Sequence, residues 1–80
     1  MRGGLKVLTG EDLIAIFHRF GFVVIGGSKH LKLRRSTSAG DETLVIPYHH
    51  LIAKGTLRAI FSQASRYIPQ SELRPHFYNE

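Results

Sequence analysis

The order of two amphipathic segments along the chain limits its fold more than any other feature of the sequence. In the first segment, apolar residues recur at helical spacing between Thr9 and Gly21, and in the second they recur between Lys54 and Pro69. Residues three or four positions apart share one side of a helix, so each segment has a single apolar face to bury. The residues of these faces are Leu13, Ile16, Phe17 and Phe20, then Leu57, Ile60, Phe61 and Ala64.

The ends of these helices are also indicated by the sequence. Thr9, followed three residues later by Asp12, predicts an N-terminal capping box, and Gly21 predicts the C-terminal stop. Thr56 is the expected N-cap of the second helix. Beyond it, Pro69 predicts the start of a short third helix over residues 70–74, which the proline at 75 is expected to end.

Between the two helices, the sequence predicts three short strands. Residues 22–25 are β-branched or aromatic and precede two glycines, residues 29–35 alternate between apolar and polar, and residues 43–46 are followed by a proline. The polar stretch 36–41 is expected to be the loop between the second and third strands.

The alternation in the middle strand predicts which side of the sheet is open. Leu31 and Leu33 fall on one face, whereas His30, Lys32 and Arg34 fall on the other. If both helices cover the leucine face, the opposite face stays in contact with solvent. The predicted fold class is therefore α+β, in the order α-β-β-β-α, with a three-stranded antiparallel sheet covered on one face by two helices.

Length and cysteine content limit the organisation further. Eighty residues are predicted to form a single domain (1–80), with an N-terminal lead-in at 1–8 and a C-terminal tail or short helix at 69–80. The chain has no cysteine, which excludes disulfides, thiolate catalysis and cysteine-bound zinc. It also has no apolar segment of signal-peptide or membrane-spanning length, so we expect a cytoplasmic protein without a membrane partner.

The charge balance favours an anionic partner. Eleven Lys and Arg face six Asp and Glu, giving a formal net charge of +5. Small basic domains bind nucleic acids because phosphate contacts release counterions. The alternative is that the excess charge only keeps the protein soluble.

One group of residues has the chemistry for acting on RNA. His30 lies among four cationic residues, which are Lys29, Lys32, Arg34 and Arg35. Cleavage of RNA without a metal needs a base for the 2′-hydroxyl proton and an acid for the leaving 5′-oxygen, and histidine can serve in either step near neutral pH. Nearby cations can stabilise charge that develops on the phosphoryl oxygens. The alternative is that His30 is an ordinary polar residue on a solvated strand.

A metal or cofactor site is not expected. His49 and His50 are neighbours, so their side chains point in different directions, and no carboxylate stands at a recognised ligand spacing from them. The sequence also lacks the glycine-rich fingerprints of nucleotide-binding sites. We therefore predict no metal and no small-molecule cofactor.

Three blocks of sequence resemble the HicA family of toxin–antitoxin ribonucleases, over a range from about Lys6 to about Arg66. Residues 13–22 are similar to the family's helix and its aromatic-flanked glycine, and residues 27–30 are similar to its glycine–serine–histidine element. Residues 43–49 and 54–60 resemble its proline–x–histidine segment and the lysine–glycine–threonine–leucine helix that follows.

This resemblance implies a fold similar to double-stranded-RNA-binding domains, endonucleolytic cleavage of mRNA by one histidine, and neutralisation by a HicB-type antitoxin. His30 matches the catalytic histidine, although Lys29 separates it from the serine that many members place directly before it. His49 matches the second histidine and receives a supporting role together with Lys54. The residues assigned to RNA binding are Ser28, Lys29, Lys32, Arg34 and Arg35.

Two other function classes remain open from the residues alone. The same basic face could hold RNA without cutting it, as a non-catalytic RNA-binding module. The chain could instead be a protein-interaction domain whose positive charge matches an acidic partner. Cleavage of labelled RNA by the pure protein would separate the first class from the ribonuclease.

Overall fold

Three antiparallel strands form the centre of the fold, with one helix before them and two after. The computed structural model describes residues 4–79. The elements in chain order are α1 (Gly10–Arg19), β1 (Val23–Gly27), β2 (His30–Thr37), β3 (Gly40–Pro47), α2 (Lys54–Ala64) and α3 (Gln70–Phe77). The strand order is β1-β2-β3, so β2 pairs on both sides. This is the predicted α+β architecture with a third helix. Within residues 4–79, none of the helices has both the length and the hydrophobicity needed to cross a membrane.

The first helix has the ends that its sequence predicts. The Thr9 hydroxyl accepts a hydrogen bond from the backbone N–H of Asp12 at 3.0 Å, and the Asp12 carboxylate accepts one from the Thr9 N–H at 2.9 Å. Gly21 follows the helix with φ +93°, a conformation that glycine adopts readily. The capping box and the glycine stop are both confirmed.

Three predictions about the boundaries of elements were wrong. Helix α2 begins at Lys54, with Ala53 as an N-cap that makes no side-chain bond, so Thr56 lies inside the first turn. Helix α3 continues through Pro75 to Phe77, because the buried Phe77 side chain and a 2.8 Å bond from the Tyr78 N–H to the Arg74 carbonyl hold its last turn. The predicted loop at 36–41 is a tight hairpin, since β2 and β3 stay paired as far as the pair Thr37 and Gly40.

The leucine face of the sheet carries the hydrophobic core. The predicted apolar residues of α1 and α2 are all buried except Phe20, which is half-buried. Strands β2 and β3 add Leu31, Leu33, Leu44 and Ile46 to the same cluster. Helix α3 contributes Leu73 and Phe77, and the Phe77 ring lies 6.0 Å from that of Phe17 and 5.4 Å from that of Phe61.

The segments before α1 and after α3 pair with each other. Leu5 and Tyr78 form an antiparallel bridge, the Lys6 N–H donates to the Phe77 carbonyl at 2.8 Å, and the Asn79 N–H donates to the Gly4 carbonyl at 2.9 Å. The described part of the lead-in therefore packs against the end of the chain.

Candidate nucleic-acid interface

The open face of the sheet is the side opposite the helices. Along β2, Leu31 and Leu33 are buried, while His30, Lys32 and Arg34 are exposed, as the alternation predicts. The leucines join the cluster that contains the apolar faces of α1 and α2. The three polar side chains consequently project to solvent from the middle strand.

A shallow groove of about 330 Å³ lies on this open face. Its lining residues are Ile25, Gly26, Gly27, His30, Lys32, Arg34 and Val45. Lys32 pairs with Gly26 on one side and with Val45 on the other, which puts it in the middle of the groove. Among the described residues, those that line the groove include no acidic side chain. The groove therefore presents positive charge and one imidazole to solvent.

The groove has apolar borders that the sequence reasoning missed. Ile25 is 44% exposed and lies at an irregularity in the pairing of β1 with β2, where the register shifts between Val24 and Gly26. Val45 borders the other side and is 46% exposed. A signal existed for Ile25, because three successive apolar residues in an edge strand do not fit a strand with one buried face.

A tight turn positions His30 at the start of β2. Gly27 has φ +100°, and a Cβ at this position would overlap the carbonyl group of His30. The carbonyl of Lys29 accepts a 2.8 Å hydrogen bond from the Tyr48 N–H, which ties the turn to the end of β3. Ser28 and Lys29 are exposed on this turn, next to the groove.

The far end of the groove carries an ion pair. Arg34 Nε lies 3.7 Å from Asp41 Oδ2, and the side chains are 43% and 54% exposed. The Ser36 hydroxyl donates to the other Asp41 oxygen at 3.0 Å. Such an exposed pair contributes little to stability, so Arg34 remains able to bind an anion from solvent.

Arg35 is separated from the other predicted RNA-binding residues, because it lies on the side of β2 that faces the core. Its Nε donates to Glu42 at 2.8 Å, and its two terminal nitrogens donate to the carbonyls of Phe20 and Tyr67 at 2.8 and 3.0 Å. Its guanidinium also lies 4.8 Å from the centre of the Phe22 ring. Because its donors already bind the protein, Arg35 is not included among the RNA-binding residues proposed below.

The two residues given supporting roles do not line the groove. His49 is exposed in a separate depression of about 210 Å³ near the start of α1, and its carbonyl accepts a 2.7 Å bond from the Gly10 N–H. In the same depression the Tyr48 hydroxyl donates to Glu11 at 2.8 Å, and this bond to a carboxylate raises the pKa of Tyr48. Lys54 is exposed at the first position of α2.

Metal-ligating groups are not clustered in the described residues. Within residues 4–79, no three side chains of His, Asp or Glu are arranged to hold a metal ion.

The sequence matches a known protein family. A family model described as the HicA toxin of bacterial toxin–antitoxin matches residues 10–65, a range that runs from the start of α1 to the C-cap of α2. The chain belongs to the HicA toxin family. The HicA match covers more than two thirds of the 80 residues and includes every residue of the groove, whereas α3 lies outside it. Membership of the HicA family makes this chain a toxin and implies a cognate antitoxin as its partner. No curated protein and no solved structure matched the chain.

Proposed function

We propose that this HicA chain is the toxin of a type II system and an endoribonuclease that cleaves mRNA with His30, without a metal ion. One observation supports the proposal above all others. The exposed imidazole of His30 lies in the same groove as Lys32 and Arg34, on the open face of the sheet. We further propose that the cognate antitoxin is of the HicB type, and that toxin and antitoxin meet in the cytoplasm.

The reaction needs the imidazole and the positive charge of the groove, a water molecule for one proton transfer, and the RNA itself. The 2′-oxygen attacks the adjacent phosphorus while its proton passes to a base, and the bond from phosphorus to the 5′-oxygen breaks as that oxygen takes up a proton. The products are a 2′,3′-cyclic phosphate and a 5′-hydroxyl. His30 serves in one of the two proton transfers, because histidine can accept or donate a proton near neutral pH, and water serves in the other. The positive charge of the groove stabilises the additional negative charge that develops on the phosphoryl oxygens.

The proposed RNA-binding residues are Ser28, Lys29, Lys32 and Arg34. Lys32 and Arg34 line the groove beside His30, while Ser28 and Lys29 belong to the turn that precedes it. His49 and Lys54 retain a proposed supporting role outside the groove, and Arg35 is not in the set.

The substitution His30→Ala tests the mechanism. We expect at least a hundredfold loss of cleavage of a labelled mRNA, the size of effect typical of general acid–base catalysis, and loss of growth arrest in cells. His18→Ala is the matched control, because His18 is an exposed histidine on α1, outside the groove. Both variants should keep the circular-dichroism spectrum of the parent, and EDTA should leave cleavage unchanged.

Two results would contradict the proposal in different ways. Full cleavage by the His30→Ala variant would remove His30 from the mechanism. RNA that is shifted in a gel by the parent protein but never cut would identify a non-catalytic RNA-binding module. Relief of growth arrest by a co-expressed HicB-type protein checks the identity of the antitoxin.

A further inference from the structure

We infer that the outward side chains of β2 form a row of phosphate subsites for single-stranded RNA, with the scissile phosphate at His30 and the next two at Lys32 and Arg34. The inference rests on the proposed ribonuclease function and assigns the conformation and the register of its substrate. Three features of this row support the inference: the distance between its side chains, its width of one residue, and the carboxylate at which it ends.

The spacing of the row suits a single strand of nucleic acid. Side chains two residues apart on a strand project from the same face about 6.6 Å from each other. This is close to the separation of neighbouring phosphates in an unstacked RNA strand. Because β3 pairs with β2 from His30 to Arg34 and β1 pairs with it from Leu31 to Arg34, the backbone spacing of these residues is fixed before RNA binds.

The row of charge is only one residue wide. The residues that pair with Arg34 are Val23 and Thr43, and those that pair with Lys32 are Gly26 and Val45. All four are uncharged, so the cations of the groove come from β2 alone. A duplex presents two phosphate backbones and is bound across successive grooves, which requires charge spread over a wider surface.

The borders of the groove and the chemistry of cleavage also favour an unstacked strand. Ile25 and Val45 offer exposed apolar surface beside the row, where riboses or splayed bases can pack. In-line attack requires the 2′-oxygen, the phosphorus and the 5′-oxygen to lie nearly on one line. An A-form duplex keeps its backbone away from that geometry, whereas a flexible linkage can rotate into it.

The row ends at Asp41. This carboxylate pairs with Arg34 at 3.7 Å and receives the Ser36 hydroxyl, so a phosphate beyond Arg34 would meet negative charge. The structure therefore assigns three consecutive phosphates to β2.

Site-specific neutralisation of phosphates tests the register. A cut site is first mapped in an mRNA, and a short single-stranded RNA containing it is then made with one methylphosphonate at a time on either side of the cut. On one side of the cut, a methylphosphonate at either the first or the second neighbouring phosphate should slow cleavage by the parent protein about tenfold. An effect of this size is expected when one charge-assisted contact is lost.

The variants Lys32→Met and Arg34→Met identify which side chain meets which phosphate. In Lys32→Met the first modification should have no further effect while the second still slows cleavage, and in Arg34→Met the pattern should be reversed. Arg58→Met is the matched control, because Arg58 is exposed on α2, and it should retain both effects. The same RNA annealed to its complement should be cut at least tenfold more slowly than the single strand.

The possible failures are distinguishable. Suppose the parent cuts the RNA, but Lys32→Met does not cancel the effect of the first modified phosphate and Arg34→Met does not cancel that of the second. The assigned register is then wrong and the ribonuclease function stands. The same conclusion follows if the duplex is cut as fast as the single strand. If the parent cuts no RNA, both the register and the proposed function are wrong.

Discussion

A side chain at position 27 would have to share its space with the carbonyl of His30. The backbone of Gly27 is at φ +100°, and the Cβ of any other residue would overlap that carbonyl group. Gly27, at the turn between β1 and β2, thus determines the position of the His30 backbone at the start of β2.

Gly27→Ala should therefore lower both stability and cleavage. We expect a loss of about 1–3 kcal/mol in the free energy of unfolding, the range typical of a residue forced into a rare backbone conformation. Urea denaturation measures this loss, and cleavage of mRNA should fall because the backbone of His30 shifts.

The neighbouring glycine provides the control for stability. A Cβ at Gly26 meets no atom within 4 Å, and the φ of this residue is not positive. Gly26→Ala should change the free energy of unfolding by roughly 0.5 kcal/mol or less. An equal loss in the two variants would show that crowding at the His30 carbonyl is not the cause.

The candidate site was predictable from the sequence only where one strand determines it. Strict alternation along β2 puts His30, Lys32 and Arg34 on one face, and the same parity puts Arg35 on the other, although it was grouped with the RNA-binding residues. The contributions of Ile25 and Val45 depend on how β1 and β3 align with β2. The run of apolar residues around Ile25 indicates exposure, but the shift of pairing between Val24 and Gly26, where Ile25 lies, leaves no clear mark in a single sequence.

At the scale of elements, Arg35 joins parts of the chain that are distant in sequence. Its guanidinium binds the carbonyl that ends α1, the carbonyl of Tyr67 after α2, and Glu42 on β3. Both charged side chains of the pair are about three-quarters buried, with 24% and 23% exposure. Removal of Arg35 would leave Glu42 and two carbonyls without these donors.

Arg35→Met should consequently destabilise the fold while its neighbour Arg34→Met should not. We expect Arg35→Met to lower the free energy of unfolding by about 2–4 kcal/mol, because breaking a buried ion pair leaves one charge uncompensated. Arg34→Met removes an exposed pair and should cost less than about 1 kcal/mol.

RNA affinity should respond in the opposite order. At a temperature where both variants are folded, Arg34→Met should weaken binding to single-stranded RNA and Arg35→Met should leave it near that of the parent. Urea denaturation and a filter-binding titration measure the two quantities. Equal weakening by the two variants would mean that Arg35 belongs to the RNA-binding surface after all.

Element boundaries were the least predictable part of the fold, for two physical reasons. The polar residues 36–41 suggest a loop, yet Ser36 and Thr37 remain in the sheet because their hydroxyls bond to Asp41 and to the Gly40 carbonyl across the hairpin. Pro75 suggests a helix end, yet tertiary contacts of Phe77 hold the turn beyond it. In both cases interactions with residues elsewhere in the chain outweigh the local preference.

A side chain of α2 binds the outer edge of β3, a contact that the sequence did not reveal. The side-chain amide of Gln63 on α2 accepts from the Val45 N–H at 2.9 Å and donates to the Val45 carbonyl at 3.2 Å. At Val45 it therefore occupies the backbone groups that a neighbouring strand would bind, which hinders pairing with another chain at this point of the edge.

At the scale of the whole molecule, α3 closes the core beyond the range of the family match. Its Leu73 and Phe77 are fully buried among residues of α1 and α2, although the match ends at residue 65. Amphipathic spacing predicted where α1 and α2 are buried, but α3 has only two buried residues in eight, too few for periodicity to detect. Its packing also brings His76 against two other parts of the chain.

The position of His76 predicts that stability falls as the solution becomes mildly acidic. Its ring is half-buried and meets the Phe20 ring edge-on at 5.4 Å, and it shares a depression with Lys6, Arg19 and Asp12. Burial lowers the pKa of His76, and the positive charges of Arg19 and Lys6 lower it further. Between the ordinary pKa of about 6.5 and the lowered one, the unfolded chain binds a proton that the folded chain does not, so the free energy of unfolding falls as pH decreases through this window.

Urea denaturation between pH 8 and pH 5.5 measures this dependence through the unfolding midpoint. The parent should lose stability progressively below about pH 6.5, with a slope of less than one proton, because a single histidine is responsible. His76→Gln should reduce that slope, since glutamine does not titrate, whereas His18→Gln changes an exposed histidine on α1 and should retain the slope of the parent. If His76→Gln and the parent follow the same pH dependence, the packing of α3 against Lys6 and Arg19 does not control protonation, and the acid sensitivity arises elsewhere.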